Sequence, residues 1–460
     1  MTDLTEKALR RLGERLPGRV SRPGHGRYRT ATALWAKPTG AMPQAVVHCR
    51  TAVDVQAAID TARRAGLPLS VRGGGHDWAG RALCDGLVLD LADMRDVIIS
   101  PDRRSALAGG GARIADVLVA TDRLGLVAAT GSCSGVGMAG LTLGGGYGTL
   151  IGRFGLALDN LIAADVVLAD GSAVTADALR ERELFWALCG GGGNFGVVTA
   201  LRFRVHELPS ITSGMLIFPF AEAKSVLQRY ADILPSLPAE FTLELGLLAG
   251  PDGMPVIFLL PTWCGAPGKG DALIARLLEF GTALDSTVAR RRYGELVASL
   301  DRHISYGQRV FMESCWLAEF NDAGVDALVE AMANAASPGC AILTHQFKGA
   351  ATEVPLGATA FGLRRNHLLV ELLASYPDRS DPTEDERHRQ WLRSATQAFA
   401  AHALPGAYPN FLPHGDVTRA TLAFGSNADR LIAAKRKYDP DNLFRSAIPL
   451  PRSAAIKAAD

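Results

Sequence analysis

Residues 131–148 read GSCSGVGMAGLTLGGGYG, and three more glycine clusters lie in the first 200 residues. They are RGGGH at 72–76, Gly109-Gly110-Gly111, and GGGGNFG at 190–196. Glycine accepts positive φ and lets a backbone approach a ligand closely. Successive N–H groups in such loops form anion-binding nests, and a dinucleotide pyrophosphate is their natural occupant. One cluster alone reads as an ordinary turn. Four in one region point to a cofactor, in a chain where glycine supplies 49 of 460 residues against an average of about 7%.

A nicotinamide-type reading fails on order. Two GxGxxG matches occur, at Gly135, Gly137 and Gly140, and at Gly191, Gly193 and Gly196. That fingerprint needs a strand before it and a helix opening on it. The second match has a helix before it and the strand VVTALRF after it, and the first runs on into LTLGGGYG.

Outward from these loops, AVVHC (45–49) reads as a strand and LPLSVR (67–72) as the next. Between them runs a helix that starts at the cap Thr51, with Asp54 three residues on and Gly66 past its end. This is a β-α-β unit, so its strands should be parallel. Further strands are expected at 87–92 and 104–108, and a helix at 112–124. A hairpin over 164–175 should turn on Asp170-Gly171, and a strand should follow at 197–206. Near Pro209 the texture changes to long apolar strands with helices between them: FTLELGLL (241–248), PVIFLL (255–260), FMESCWLAEF (311–320), CAILTHQF (340–347) and HLLVELLASY (367–376). A third stretch holds YPNFLPH, a helix near 427–437 and YDPDNLF. The division is 1–208, 209–405 and 406–460.

Composition narrows the function. The chain is 48% hydrophobic and 21% charged, enough for sizeable cores. Lys plus Arg total 48 and Asp plus Glu 47, so no basic footprint for nucleic acid exists. No run of 18 apolar residues predicts a membrane span, and the first twenty residues lack a secretory signal's apolar region. A cytoplasmic location is the expectation. Seven scattered cysteines form neither a disulfide framework nor a CxxC site. No metal-ligand spacing, GxSxG or P-loop is present.

SVRGGGHDWAG (70–80), GSCSGVGMAGLTLGGGYG (131–148), FGLALDNL (154–161), CGGGGNFGVVT (189–199) and YDPDNLF (438–444) stand in the order and spacing of one family. The chain resembles the flavin-dependent oxidoreductases of the vanillyl-alcohol oxidase superfamily, in the berberine bridge enzyme-like group. The resemblance implies an α+β, two-domain FAD-binding fold of the PCMH type with an inserted α+β substrate domain carrying an antiparallel sheet. It implies FAD attached covalently through His76 at the flavin 8α-methyl group and through Cys133 at C6. The other six cysteines read as packing residues. Residues expected to hold the cofactor are Arg72, Gly73, Gly74, Gly75 and His76; Gly131, Ser132, Cys133, Val136, Gly137 and Gly140; Gly144, Gly145, Gly146, Tyr147 and Gly148; Asn194, Gly196, Val198 and Asn410. In the family the position of Val136 faces the oxygen side of the flavin, and a valine there goes with reaction of reduced flavin with O2.

Removing a hydride from a carbon that bears OH or an amine needs a base. Many members of the family use the second tyrosine of a YxNY segment. Here the segment is Tyr408-Pro409-Asn410-Phe411, and Phe411 takes no proton. Other members use a glutamate on a substrate-domain strand, and Glu371 stands within one residue of that place. It shares a face with Leu369 and Leu373, an apolar row that would raise its pKa. Tyr408, His345 and Glu313 are the other candidates, in that order. The expectation is an FAD-dependent oxidase with covalent flavin that acts on a small organic substrate and gives H2O2. The Leu, Phe, Trp and Met content of the strands favours an aromatic or polyketide-like secondary metabolite. A carbohydrate oxidase of the same fold, a flavin dehydrogenase with another acceptor and a non-catalytic flavin-binding protein are the alternatives. No nucleic-acid, membrane or obligate protein partner is expected.

Overall fold

Among the described residues, three large sheets and a two-stranded pairing of Leu126–Val127 with His206–Glu207 organise the chain. The structure, a computed structural model, describes residues 3–450 apart from 39, 41, 379 and 380. The first sheet has the order Val20–Ser21, Ala45–His48, Leu87–Asp90, Leu69–Arg72. Its last three strands are parallel, and Leu87–Asp90 lies between the two strands of the β-α-β unit. The helix of that unit, Ala52–Ala65, starts where its cap chemistry dictates. Asp54 N donates to Thr51 Oγ1 at 3.3 Å and Thr51 N to Asp54 Oδ2 at 3.0 Å. Gly66 ends it in the left-handed region, at φ 62°.

The second sheet is antiparallel throughout: Val97–Ile99, Ser105–Gly109, Val197–Arg204, Leu161–Val167, Ala173–Asp177. Leu161–Val167 and Ala173–Asp177 are the expected hairpin, with Gly171 at φ 87° in its turn. The third sheet takes all its strands from between Ile211 and Leu404. At its centre Phe241–Ala249, Cys340–Phe347, His367–Tyr376 and Arg309–Leu317 lie side by side, all antiparallel.

This sheet is buried on both faces, which is why its strands read as continuous apolar runs. On one face Leu368, Val370, Leu372, Cys315 and Ile342 pack with residues of the helices Ala223–Ile233, Asp322–Ala333 and Pro382–Phe399. On the other, Leu369, Trp316, Phe347 and Phe258 join a core that also holds Ile114, Leu143, Tyr147 and Leu184 of the first 208 residues. Each such buried side chain contributes roughly 1.5–3 kcal/mol. Tyr408, Leu412, Phe424, Leu431 and Tyr438 enter that same core. The C-terminal segment is further tied by Lys435, whose Nζ donates to Asn194 O at 2.8 Å and to Phe444 O at 2.9 Å. The polar residues on this second face are therefore held against the glycine loops.

The chain pairing also decides which acidic side chains face which way. Along Arg309–Leu317, Ser314 stands opposite Glu371 and Met312 opposite Leu373. Glu313 therefore belongs to the other face. Its carboxylate pairs with Arg419 of the helix Val417–Phe424. The reading of Glu313 as a base is corrected: it is an ion-pair residue turned away from the loops.

Candidate active site

The RGGGH loop follows directly from the strand Leu69–Arg72. Among the described residues, none of the N–H groups of Gly73, Gly74, Gly75 and His76 donates to another protein group. This run of open donors has the form of an anion nest and fits the pyrophosphate of FAD. Arg72 braces the loop from below. Its Nη1 donates to Asp90 Oδ1 at 2.9 Å, and Asp90 Oδ2 lies 3.1 Å from His48 Nδ1. His48 Nε2 lies 2.8 Å from Ser21 Oγ, and all four residues are buried. A Cβ on Gly75, at φ 75°, would lie 2.8 Å from Arg72 Nη2.

The second loop meets the first glycine to glycine. A Cβ on Gly74 would lie 2.4 Å from Gly137 N and 2.5 Å from Gly137 Cα. No flexible side chain is there to yield, so Gly74→Ala forces the loops apart. Overpacking of this kind costs roughly 1–3 kcal/mol, or about five- to 150-fold in noncovalent FAD affinity. Flavin absorbance per protein in the purified variant should fall accordingly. Gly13→Ala, which meets nothing within 4 Å, is the control and should keep full loading.

This contact brings the two expected attachment residues together: His76 Nδ1 lies 4.0 Å from Cys133 Sγ. Ser134 N donates to Asp301 Oδ1 at 3.0 Å and so fixes the Cys133 turn to the third-sheet segment. The Trp35 ring stacks on His76 at 4.3 Å, and Tyr306 meets it edge-on at 6.4 Å. Burial lowers the His76 pKa to about 4, so the ring is neutral and keeps a nucleophilic lone pair. Burial pushes the Cys133 thiol up to about 11, with Asp301 and Glu371 adding to the rise. Cys133 is partly exposed, and the other six cysteines are buried free thiols.

Several glycines expected at the cofactor serve the protein's own packing. A Cβ on Gly144 would overlap Asn410, one on Gly145 would meet the Tyr408 ring, and one on Gly146 would strike Ala157. Gly148 abuts Thr130 O, and Gly196 abuts Val166. Gly109, Gly110 and Gly111 spend their N–H groups on Asp96, Thr199 and Met94 carbonyls, so that cluster is no nest. Asn194 Nδ2 donates to Gly191 O and Ile448 O, each at 2.8 Å, and acts as a clamp on the C-terminal segment. Asn410 Nδ2 donates to Tyr408 Oη at 2.9 Å. Val198 lies in strand pairing opposite Val166. Gly131 is packed against Leu141 and Tyr147, whereas Gly140 meets nothing within 4 Å. Ser132 and Val136 are half-buried on the Cys133 loop.

Facing the loops, one row crosses three strands. His345 Nδ1 lies 3.2 Å from Glu244 Oε1, and His345 Nε2 lies 3.1 Å from Glu371 Oε2. Burial opposes the charged ring, but the two carboxylates outweigh it and lift the His345 pKa to about 10. His345 is thus an imidazolium with both N–H groups donated, and it takes no proton at neutral pH. Glu371 does not stand in the purely apolar row expected of it, since its carboxylate is hydrogen-bonded to this cation. Its charge is felt at both Cys133 and Tyr408, which places it on the loop side of the sheet. Glu244 was not singled out in the sequence. Ser314 is 3% exposed and its Oγ has no hydrogen-bond partner among the described residues.

Tyr408 does not suit a base role. Burial pushes its phenol up to about 12, although Gly146 N at 2.8 Å and Asn410 Nδ2 both donate to it. Phe411 packs edge-on against its ring at 4.9 Å. Tyr147 lies 2.7 Å from His367 Nε2. Because burial lowers the His367 pKa to about 3 and Nδ1 donates to Arg365 O at 2.7 Å, the Tyr147 hydroxyl is the donor.

The raised His345 pKa also predicts a pH dependence. The folded chain keeps this proton up to about pH 10, and the unfolded chain releases it near 6.5. The stabilisation is complete below 6.5 and is lost as pH rises through 10. Between these limits Tm should fall more steeply in the wild type than in His345→Asn.

The FAD binding domain family matches residues 43–177, and the berberine and berberine-like family matches residues 407–451. FAD-linked oxidoreductase aurO of Gibberella zeae is 28% identical, over 95% of this chain and 87% of that relative. The crystal structure of 6-hydroxy-D-nicotine oxidase from Arthrobacter nicotinovorans superposes with a TM-score of 0.86 at 27% identity, covering 95% of this chain and 98% of that one. Glucooligosaccharide oxidase from Acremonium strictum, a protein described with a 6-S-cysteinyl, 8α-N1-histidyl FAD, shares the fold with a TM-score of 0.83 at 22% identity, over 96% of this chain and 99% of that one. The fold and the loop pair thus define an FAD-linked oxidoreductase of the PCMH type. With the berberine and berberine-like model at its C-terminal end and aurO among its relatives, the chain is similar to the berberine bridge enzyme-like group of such oxidoreductases.

Proposed function

We propose that the protein is an oxidase with FAD linked to both His76 and Cys133, and that it oxidises a small organic substrate at the expense of O2. The observation that carries this reading is the 4.0 Å approach of His76 Nδ1 to Cys133 Sγ across two glycine loops in backbone contact. The Acremonium strictum oxidase of the same fold is described with one cysteinyl and one histidyl bond to its FAD. FAD held by the Gly73–Gly75 loop, His76 and Cys133 would supply the acceptor for a substrate hydride and the route of its electrons to O2, with H2O2 as the product.

The chain supplies position and proton handling. Gly73, Gly74, Gly75 and His76 offer their N–H groups to the pyrophosphate, and Arg72 supports that loop. Glu371 accepts the substrate proton. Met312 and Leu373 flank Glu371 and Ser314 on the same sheet face, and Trp35, Trp78 and Phe411 pack beside them. This apolar wall favours an aromatic or polyketide-like substrate over a sugar, whose hydroxyls would find few partners there. The small side chain of Val136 leaves room for O2.

The oxidase reading is tested without a substrate. Holoenzyme reduced with dithionite and mixed with aerated buffer should reoxidise within seconds and yield one H2O2 per flavin. Reduced flavin that persists for minutes in air would contradict the reading and leave another electron acceptor. Val136→Leu should slow that reoxidation on the order of tenfold, a barrier change of about 1.4 kcal/mol.

A further inference from the structure

We propose that Glu244 is a positioning residue for proton transfer: through His345 it fixes Glu371, whose remaining oxygen and the Ser314 hydroxyl receive the proton-donating group of the substrate, a hydroxyl or ammonium on the carbon to be oxidised. This rests on the FAD reading and names the substrate chemistry of the same site.

Three observations support it. Glu244, His345 and Glu371 come from adjacent strands, with contacts of 3.2 and 3.1 Å that use both imidazole nitrogens. Among the described residues, His345 is the ion-pair partner of both carboxylates. Ser314 stands opposite Glu371 in the strand pairing, is 97% buried by its 3% exposure, and leaves its Oγ unpartnered. A buried hydroxyl without a partner, beside a carboxylate with one oxygen to spare, is a two-point acceptor for a donor group. In the transfer, the substrate O–H or N–H bond breaks, its electron pair stays on the substrate, and an O–H bond forms on Glu371. Other titratable groups near the row are Tyr147, whose ring is 6.4 Å from His345, Tyr293 and Tyr230, which feel the charge of Glu244, and Tyr408 and Cys133 near Glu371. Burial raises all five, so none is charged at neutral pH.

The test uses 15N-histidine-labelled holoenzyme, with His345 assigned by its loss in His345→Asn. The wild-type ring should stay doubly protonated from about pH 5 to 9. In Glu244→Gln its acid constant should rise at least ~tenfold and titrate in that window, and Glu244→Asp should restore part of the shift. Sulfite, an anion that bleaches oxidised flavin, then probes the charge of Glu371. Glu371→Gln should bind it at least ~tenfold more tightly than wild type. In Glu244→Gln, sulfite affinity should follow the His345 midpoint. An unmoved His345 midpoint or an unchanged sulfite affinity in Glu371→Gln overturns the proposal. A colourless wild type would overturn the FAD reading instead, and the histidine titration would still decide the role of Glu244.

Discussion

Glu371→Gln should slow anaerobic flavin reduction by at least ~100-fold, within the range for loss of a general base. The size of the effect follows from the lack of a substitute. Phe411 stands where a tyrosine base would stand and has no acid–base chemistry. Tyr408 keeps its proton, because burial holds its pKa near 12. His345 is already charged, with both N–H groups committed to carboxylates. Glu313 is on the other face of the sheet, paired with Arg419. The amide of glutamine keeps the shape of Glu371 and a carbonyl for His345 Nε2, so folding and flavin loading should be retained. The measurement is stopped-flow bleaching with any substrate that reduces the wild type. Reduction at the wild-type rate would remove Glu371 from the role.

Replacing His76 and Cys133 together by alanine should release essentially all flavin on denaturation, while either single variant should retain it on the precipitated protein. Each residue can form one bond without the other, because they stand on separate loops. The nest at Gly73–Gly75 and the contact of Gly74 with Gly137 remain in every variant, so the double variant should still bind FAD noncovalently when native. Flavin that stays bound to the denatured double variant would mean that other residues carry the linkage. Loss from His76→Ala alone would mean that Cys133 is only a packed thiol. The variants differ in a second way. The Trp35 ring stacks on His76, so His76→Ala also leaves a gap beside the flavin site, whereas Cys133→Ala removes one sulfur from a half-buried turn.

Local chemistry made much of the fold legible. The capping box at Thr51 and Asp54, the turn at Asp170-Gly171 and the apolar strands at 241–248, 340–347 and 367–376 all fall where side-chain pattern puts them. The site was harder to read, for two physical reasons. A strand buried on both faces has no polar alternation, so Glu313 stood out in FMESCWLAEF as a candidate, whereas one residue of parity puts Ser314 on the loop side instead. Glu244 sits in FTLELGLL like any isolated charge, and its meaning depends on the pairing of strands about a hundred residues apart in sequence. Glycine clusters carry a similar ambiguity. The absence of a Cβ makes room for the Arg72 guanidinium at Gly75 and for a neighbouring backbone at Gly74, Gly109, Gly111 and Gly148. The residue type is identical in the two cases, and only the tertiary contact tells them apart.

The central claim is the double attachment, and mass spectrometry of a proteolytic digest of the holoenzyme tests it most directly. The account predicts one flavin-bearing species that joins the peptide of His76 to the peptide of Cys133, with a mass equal to both peptides plus FAD less the hydrogens lost in forming two bonds. Flavin on the His76 peptide alone, or recovered free from both peptides, would contradict it.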